Sequence, residues 1–194
     1  HFERPELALL LDRIRTHPGA ATLVTGEAGS GKSALFAELA TRLDREGFVV
    51  YAIKADKLPS EIRSQKELAE ALHLRWTLIE EIEVLARAAP VVVLIDQLDA
   101  VSEIMDRASE RMRLLVQVAH HFRQIENEDN WPPVHVLVSS RQFEADYDAR
   151  FRSLDAETVR LDLPAVEQID ALLARLGIPG AAVPHALRET LRRP

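Results

Sequence analysis

The sequence predicts an α/β fold in which a parallel sheet of about five strands lies between two layers of helices. Short apolar runs rich in β-branched residues alternate with segments of helical length. Most of these runs are apolar nearly throughout, as strands are when both of their faces are buried in a parallel sheet. We therefore expect a three-layer sandwich with right-handed crossover connections.

The elements follow in a regular order. The predicted strands are Ala20–Thr25, Phe48–Ile53, Val91–Ile95, Val134–Val138 and the weaker, alternating Thr158–Leu163. Apolar residues recur at intervals of three and four between them, which is the spacing of a helix with one buried face. The predicted helices are Lys32–Arg45, Ser60–Leu72, Trp76–Ala88 and a long helix from about Val101 to Ile125.

The pattern changes after Leu163. Two short helical segments, Ala165–Leu176 and Val183–Arg192, follow one another without a strand between them. We therefore divide the chain into a nucleotide-binding domain over residues 1–163 and the beginning of a helical lid over residues 164–194. Because the chain starts at His1 and the lid is short, we expect it to be part of a longer protein.

The composition excludes several classes of protein. The 194 residues are 47% hydrophobic and 28% charged, unlike disordered or collagen-like chains. The absence of Cys excludes disulfides and thiolate metal sites, and it favours the cytoplasm. The longest apolar run, Ala88–Ile95, is too short to cross a membrane. A net charge of −7 argues against direct binding of nucleic acid.

A phosphate-binding loop follows the first strand. The residues match G-x-x-x-x-G-K-S/T in full: Gly26, Glu27, Ala28, Gly29, Ser30, Gly31, Lys32 and Ser33. The glycines let the backbone N–H groups wrap around a phosphate at the start of a helix. We expect Lys32 to bridge the β- and γ-phosphates of ATP, and the Ser33 hydroxyl to complete the Mg²⁺ shell.

The third strand ends in an acid, as it does in P-loop ATPases that hold Mg²⁺ through water. That acid is Asp96. Many ATPases of the AAA+ type have Glu at the next position to polarise the attacking water, whereas this chain has Gln97, which cannot act as a base. The next acid, Asp99, has two compatible interpretations. It either orients water within the Mg²⁺ network or caps the long helix that starts near Val101.

The fourth strand ends with polar residues and a cation. In the predicted sheet it lies between the first and third strands, so its tip faces the γ-phosphate in the crevice where such folds bind ligands. Arg141 is therefore a candidate sensor of the γ-phosphate. Ser139 or Ser140 could hydrogen-bond the phosphate or water.

Together these motifs resemble the STAND class of P-loop ATPases (signal-transduction ATPases with numerous domains), which are relatives of AAA+ proteins. Residues 26–33 are similar to the phosphate loop of the NACHT branch. The Asp-x-hydrophobic-Asp pattern from Asp96 to Asp99 is typical of STAND proteins. The Ser-Ser-Arg sequence at the fourth strand resembles their sensor.

The resemblance implies a P-loop fold with strand order 5-1-4-3-2 and an Mg²⁺-dependent switch controlled by ATP and ADP. Such switches are closed with ADP and oligomerise when activated, and they work with effector and sensor domains in the same chain or complex. Prokaryotic members commonly serve in antiviral defence. The resemblance also places Arg4 near the adenine and Pro194 near the base, although Arg4 is equally well explained as a surface residue.

Two other functions fit the motifs. One is an AAA+-like ring ATPase, a motor or loader acting on nucleic acid or protein, which would need an arginine finger such as Arg150 or Arg152. The other is a module that holds nucleotide structurally without hydrolysing it. The missing Glu at position 97 favours slow hydrolysis in a switch.

Overall fold

The computed structural model describes residues 4–17, 19–101, 107–125, 133–142, 149–179 and 183–192. Five parallel strands form one sheet: β1 (Ala21–Gly26), β2 (Val49–Lys54), β3 (Val91–Asp96), β4 (Val134–Arg141) and β5 (Glu157–Arg160). Their order is β2-β3-β4-β1-β5, which is the predicted order read from the opposite edge. The predicted α/β P-loop fold is confirmed.

Helices precede, connect and follow the strands. They are α1 (Pro5–Thr16), α2 (Lys32–Arg45), α3 (Gln65–Ala71), α4 (Leu78–Ala86), α5 (Arg107–Ile125), α6 (Ala149–Ser153), α7 (Val166–Arg175) and α8 (His185–Leu191). Single 3-10 turns follow β2 at Ala55–Lys57 and β3 at Leu98–Val101. No described helix is long and apolar enough to span a membrane.

The helix α1 is absent from the sequence prediction. Pro5 occupies its first turn, where a missing N–H costs nothing. Its buried residues Leu7, Leu10, Leu11 and Ile14 follow helical spacing and pack against the same face of the sheet as α2. Helix α1, which begins directly after Arg4, thus contributes to the hydrophobic core.

Caps explain where the shorter helices begin. The helix predicted from Ser60 starts only at Gln65, because Ser64 forms a capping box with Glu67. Thr77 and Glu80 form the same box at the start of α4. Val101 lies in a 3-10 turn, and the long helix is described from Arg107.

The three central strands β1, β3 and β4 are buried on both faces, as their apolar sequences predict, whereas the edge strands β2 and β5 are partly exposed. Successive residues of β3 alternate between the two halves of the core: Val91, Val93 and Ile95 pack with α4 and α5, and Val92 and Leu94 pack with α1 and α2. In β4, Val136 and Val138 face the first half and Leu137 the second. A separate small cluster, Ile169, Leu173 and Val183, lies in the α7–α8 hairpin. The domain boundary at residues 163 and 164 stays a prediction.

The register of the strands brings the predicted site residues to one edge of the sheet. Gly26 pairs with Arg141 across β1 and β4, and Ile95 pairs with Val138 across β3 and β4. The carboxyl ends of these three parallel strands therefore meet, with the phosphate loop between β1 and α2 above them.

Candidate nucleotide-binding site

The phosphate loop follows a path that two of its glycines make possible. Gly29 and Gly31 have φ values of 73° and 94°, in the left-handed region that residues with a Cβ rarely adopt. Gly26 has no room for a side chain, since an added Cβ would lie 2.4 Å from the Leu161 carbonyl oxygen and 2.7 Å from Ser30 Oγ. The loop ends at the first turn of α2, whose backbone N–H groups have no acceptor within the helix.

Lys32 is folded onto this loop. Its side chain is almost fully buried, and Nζ donates hydrogen bonds to the carbonyl oxygens of Gly26 at 2.8 Å and Glu27 at 2.9 Å. The ammonium group therefore lies inside the curve of the loop. A cation held there, together with the helix N-terminus, is suited to binding the phosphates of a nucleotide.

Asp96 is buried and held from the neighbouring strand. Ser139 Oγ donates a hydrogen bond of 2.5 Å to Asp96 Oδ1, and accepts one of 2.8 Å from the backbone N–H of Gln97. Both side chains are shielded from solvent, with Asp96 5% exposed and Ser139 fully buried. Ser139 thus orients the carboxylate predicted to serve the metal, and its contact with phosphate or water stays a prediction.

Gln97 links that carboxylate to the phosphate loop. Its backbone has a φ of 58°, which is unusual for a residue with a side chain. In this conformation Nε2 donates a hydrogen bond of 3.3 Å to Ser33 Oγ, the hydroxyl predicted to bind Mg²⁺. The sequence shows the missing Glu at this position, but nothing in it indicates that the amide would contact Ser33.

Asp99 and Arg141 form a pair across the cleft. Asp99 Oδ1 accepts a hydrogen bond of 3.2 Å from the Arg141 backbone N–H, and Oδ2 lies 3.2 Å from Arg141 Nε. The Asp99 side chain is 5% exposed and that of Arg141 is 45% exposed, so the carboxylate lies in the wall and the guanidinium reaches into the cleft. Ser140, also buried, donates to the Arg141 carbonyl oxygen at 3.2 Å.

A cleft of about 440 Å³ lies beside the phosphate loop, and Asp96 is buried behind it rather than among its lining residues. The cleft is lined by Ala28, Gly29, Ser30, Gly31, Lys32, Ser33, Ala34, Gln97, Asp99 and Arg141. The cleft thus brings together most of the predicted phosphate loop, Asp99 and Arg141. Gly26 and Glu27 instead line a second cleft of about 260 Å³, together with residues of the β5–α7 connection and Arg192.

Arg4 holds the outside of the phosphate loop. Its guanidinium donates hydrogen bonds to the carbonyl oxygens of Ser30 at 2.8 Å and Asp162 at 2.7 Å. Burial lowers the pKa of Arg4 below its usual value, because the charged form is partly removed from water. The described contacts join the start of α1 to the loop. Pro194, predicted to lie near the base, is outside the described residues.

The donor groups fit Mg²⁺ bound together with a nucleotide. Within the described ranges, no group of three or more His, Asp or Glu side chains could hold a metal by itself. One buried carboxylate, Asp96, and one hydroxyl, Ser33, are connected through Gln97 and Ser139. Mg²⁺ typically takes few protein oxygen ligands and completes its shell with phosphate and water, so this sparse set is appropriate.

A comparison with known protein families assigns the chain to one of them. A family model described as an AAA ATPase domain matches residues 2–124, a range that includes the phosphate loop, Asp96 and Asp99. The chain belongs to the AAA ATPase domain family. It is therefore a P-loop NTPase, as the phosphate loop predicts. Arg141 lies beyond the matched residues of this AAA ATPase domain. No curated protein matches the sequence.

Solved structures share the fold of this AAA ATPase domain. The Aeropyrum pernix ORC2 protein in ADPNP–ADP complexes has a TM-score of 0.58 at 13% identity, covering 87% of this chain and 49% of that one. The structure of Drosophila ORC bound to DNA has a TM-score of 0.53 at 20% identity, and the match covers 89% of this chain and 44% of that one. A chain of the E. coli MS115-1 HORMA:CdnC:Trip13 complex has a TM-score of 0.57 at 19% identity, and the match covers 97% of this chain and 67% of that one. These identities show the fold alone. The chain spans about half the length of the two ORC chains.

Proposed function

We propose that this AAA ATPase domain is a switch module that binds ATP tightly, hydrolyses it slowly and belongs to a larger signalling protein of the STAND class. The observation that carries the proposal is Gln97. It follows Asp96 at the position where an AAA+ motor has Glu, and its amide contacts Ser33 at 3.3 Å. A Gln side chain has no basic group, so it cannot remove a proton from water.

The remaining groups have the chemistry of nucleotide binding. Lys32, Arg141 and the first N–H groups of α2 present positive charge to one cleft, where they would offset the charge of the β- and γ-phosphates. Ser33 and Asp96 would hold Mg²⁺, which neutralises phosphate charge when bound. The site can thus bind ATP strongly while lacking an efficient base for hydrolysis.

Asp99 is the other carboxylate that could act as a base. Both of its oxygens contact Arg141, one at the backbone N–H and one at Nε. Both carboxylate oxygens are thus already engaged by Arg141, so neither is placed to take a proton from water. This arrangement supports slow turnover, because neither Gln97 nor Asp99 matches the role of the Glu that many AAA+ ATPases use.

The switch function has consequences for partners. In the proposed mechanism the domain is closed with ADP, and exchange for ATP allows it to self-oligomerise. Effector and sensor domains in the same chain or complex would supply output and input, with antiviral defence as the expected setting. The support is the combination of Asp96, Gln97 and Asp99 with the Ser139–Arg141 sequence.

The test is the steady-state rate of ATP hydrolysis with Mg²⁺ in the wild type and in Gln97→Glu. We expect the wild type to turn over well below about 10 per second, a rate common among enzymes. Gln97→Glu should raise the rate at least about tenfold, because it restores a base next to Asp96. A wild-type rate near 10 per second, or no gain in the variant, would contradict the proposal. Native mass with ADP and with a non-hydrolysable ATP analogue tests the oligomerisation.

An AAA+-like ring ATPase is the second candidate. Its support is membership of the AAA ATPase domain family and the shared fold with an ORC structure bound to DNA. Such a ring needs an arginine finger supplied to the neighbouring subunit. If Arg150→Ala or Arg152→Ala abolishes hydrolysis, and mixing with Lys32→Ala restores it, the ring is favoured. If both variants retain the wild-type rate, the switch is favoured.

A further inference from the structure

We infer that Asp99 is a positioning residue, which holds the Arg141 side chain in the orientation that recognises the γ-phosphate and thereby sets the selectivity for ATP over ADP. The inference deepens the proposed function and rests on it, since it takes Arg141 as the group that contacts the γ-phosphate. It differs from both interpretations of Asp99 that the sequence suggests, which were a water-orienting carboxylate and a helix cap.

The geometry of the pair carries the inference. The Asp99 carboxylate contacts Arg141 at two points of the same residue, the backbone N–H and the side-chain Nε, each at 3.2 Å. A single contact would leave the long side chain able to rotate about its bonds. Two contacts at opposite ends of the aliphatic chain restrict its path, so the guanidinium is held against the wall of the cleft.

The contact at Nε is compatible with binding phosphate. Arginine grips phosphate in a bidentate manner through pairs of N–H groups arranged as a fork. A carboxylate at Nε does not occupy the edge formed by the two terminal nitrogens. The Arg141 side chain is 45% exposed and lines the cleft beside the phosphate loop. Asp99 thus holds the guanidinium at Nε, and the γ-phosphate would be bound through the two terminal nitrogens.

Burial makes a partner for the Asp99 carboxylate necessary. Asp99 is 4% exposed as a residue, and a charge removed from water to that extent requires a partner. Its location also separates it from Asp96, whose Oδ1 is held by Ser139. The two acids therefore have different partners on β4: Asp96, the last residue of β3, is held by Ser139, and Asp99, in the turn that follows, contacts Arg141.

The pre-ordered side chain should matter for ATP and not for ADP. Binding a ligand through a flexible arginine requires the side chain to be ordered first, which weakens the interaction. Only ATP has the γ-phosphate that Arg141 is proposed to contact. Loss of Asp99 should therefore lower the affinity for ATP more than the affinity for ADP. A general loss of stability would instead lower both affinities by the same factor.

The experiment measures dissociation constants of ADP and of a non-hydrolysable ATP analogue, both with Mg²⁺, by calorimetric titration. The variants are Asp99→Ala, Asp99→Asn, Arg141→Ala and the double variant Asp99→Ala with Arg141→Ala. The quantity compared is the ADP-to-ATP ratio of dissociation constants. We expect Arg141→Ala and Asp99→Ala each to lower this ratio about tenfold, because each removes a charged hydrogen-bonding group from recognition of the γ-phosphate. The double variant should be no lower than Arg141→Ala alone.

Asp99→Asn keeps an acceptor for one of the two donors but removes the charge, so its ratio should lie between those of the wild type and Asp99→Ala. It also serves as the readout if Asp99→Ala does not fold. The matched control is the Glu110–Arg113 pair on α5, an Arg–carboxylate contact of 2.7 Å outside the cleft. Glu110→Ala and Arg113→Ala should leave the ratio unchanged.

The outcomes separate the two claims. If Arg141→Ala leaves the ratio unchanged, the proposed role of Arg141 is wrong and the inference about Asp99 falls with it. If Arg141→Ala lowers the ratio but both Asp99 variants keep the wild-type value, Asp99 does not position Arg141, and the proposed function stands. If the effect of Asp99→Ala adds in full to that of Arg141→Ala, Asp99 acts independently of Arg141, which also overturns the inference.

Discussion

Removal of the Ser139 hydroxyl should destabilise the domain far more than removal of the Ser140 hydroxyl. Ser139→Ala deletes a group that donates to Asp96 Oδ1 at 2.5 Å and accepts from the Gln97 N–H at 2.8 Å. Ser140→Ala deletes a hydroxyl whose partner is the Arg141 carbonyl oxygen at 3.2 Å. Both serines are fully buried on β4, so the two substitutions remove the same atom from equally shielded positions.

The magnitude follows from the partners. A hydrogen bond to a charged group contributes about 1.5–3 kcal/mol, and a buried N–H that loses its acceptor costs about 1–3 kcal/mol. Ser139→Ala should therefore lower the free energy of unfolding by about 3 kcal/mol, which corresponds to roughly 9 °C in Tm for a domain of this size. Ser140→Ala removes one neutral hydrogen bond and should cost about 1 kcal/mol.

The assay is urea unfolding followed by circular dichroism, without nucleotide, for the wild type and both variants. Equal losses in the two variants would refute the reasoning, because they would mean that Ser139 makes no special contact with Asp96. A titration with Mg²⁺ and ATP analogue then tests the functional consequence. Ser139→Ala should weaken the Mg²⁺ dependence of binding, since Asp96 is no longer held in one orientation.

Three further outcomes test other contacts. Gly26→Ala should abolish nucleotide binding in titrations, because its Cβ would lie 2.4 Å from the Leu161 carbonyl oxygen. In Gly47→Ala the added Cβ meets nothing within 4 Å, so this variant should lose some stability, because Gly47 has a φ of 86°, but bind nucleotide as the wild type does. Arg4→Ala should lower the binding affinities for ATP and ADP alike, about tenfold, because the two hydrogen bonds of Arg4 hold main-chain carbonyls around the phosphate loop. A loss of affinity for ATP alone would contradict this role. Burial lowers the pKa of His135 to about 4, below its unfolded value, so the folded state disfavours the proton and stability should fall as pH drops from about 6.5 to 4. In urea unfolding, the free energy of unfolding of the wild type should fall relative to that of His135→Asn by about 2–3 kcal/mol when the pH is lowered from 7 to 4.5. A difference that stays constant with pH would show that His135 does not titrate this way.

The parts of the fold that the sequence predicts are those where residue type dictates backbone geometry. The phosphate loop needs glycines at fixed spacing, and β3 is apolar up to its last residue, Asp96, because both of its faces are covered. Helix α1 was missed, although its leucines follow helical spacing and Pro5 marks its first turn. The starts of α3 and α4 were placed too early, since the capping boxes at Ser64 and Thr77 fix them locally.

The contacts within the site were the part that sequence could not supply. Asp99 and Arg141 are 42 residues apart, and Asp96 and Ser139 are 43 apart, so they meet only through the register of β3 against β4. The pattern of alternating apolar residues defines which face a side chain takes but not which residue lies opposite. Gln97 was visible as a departure from AAA+ ATPases, while its left-handed backbone and its contact with Ser33 required the structure.

A single-turnover experiment tests the central claim most directly. The domain, in excess over radiolabelled ATP and with Mg²⁺, is sampled over time, and the bound nucleotide is separated into ATP and ADP. We predict that ATP binds in the wild type but not in Lys32→Ala, and that bound ATP becomes bound ADP at a rate well below about 10 per second. Intact ATP after prolonged incubation would identify a module that only holds nucleotide, and conversion at or above that rate would identify a motor-like ATPase; either result would contradict a slow switch.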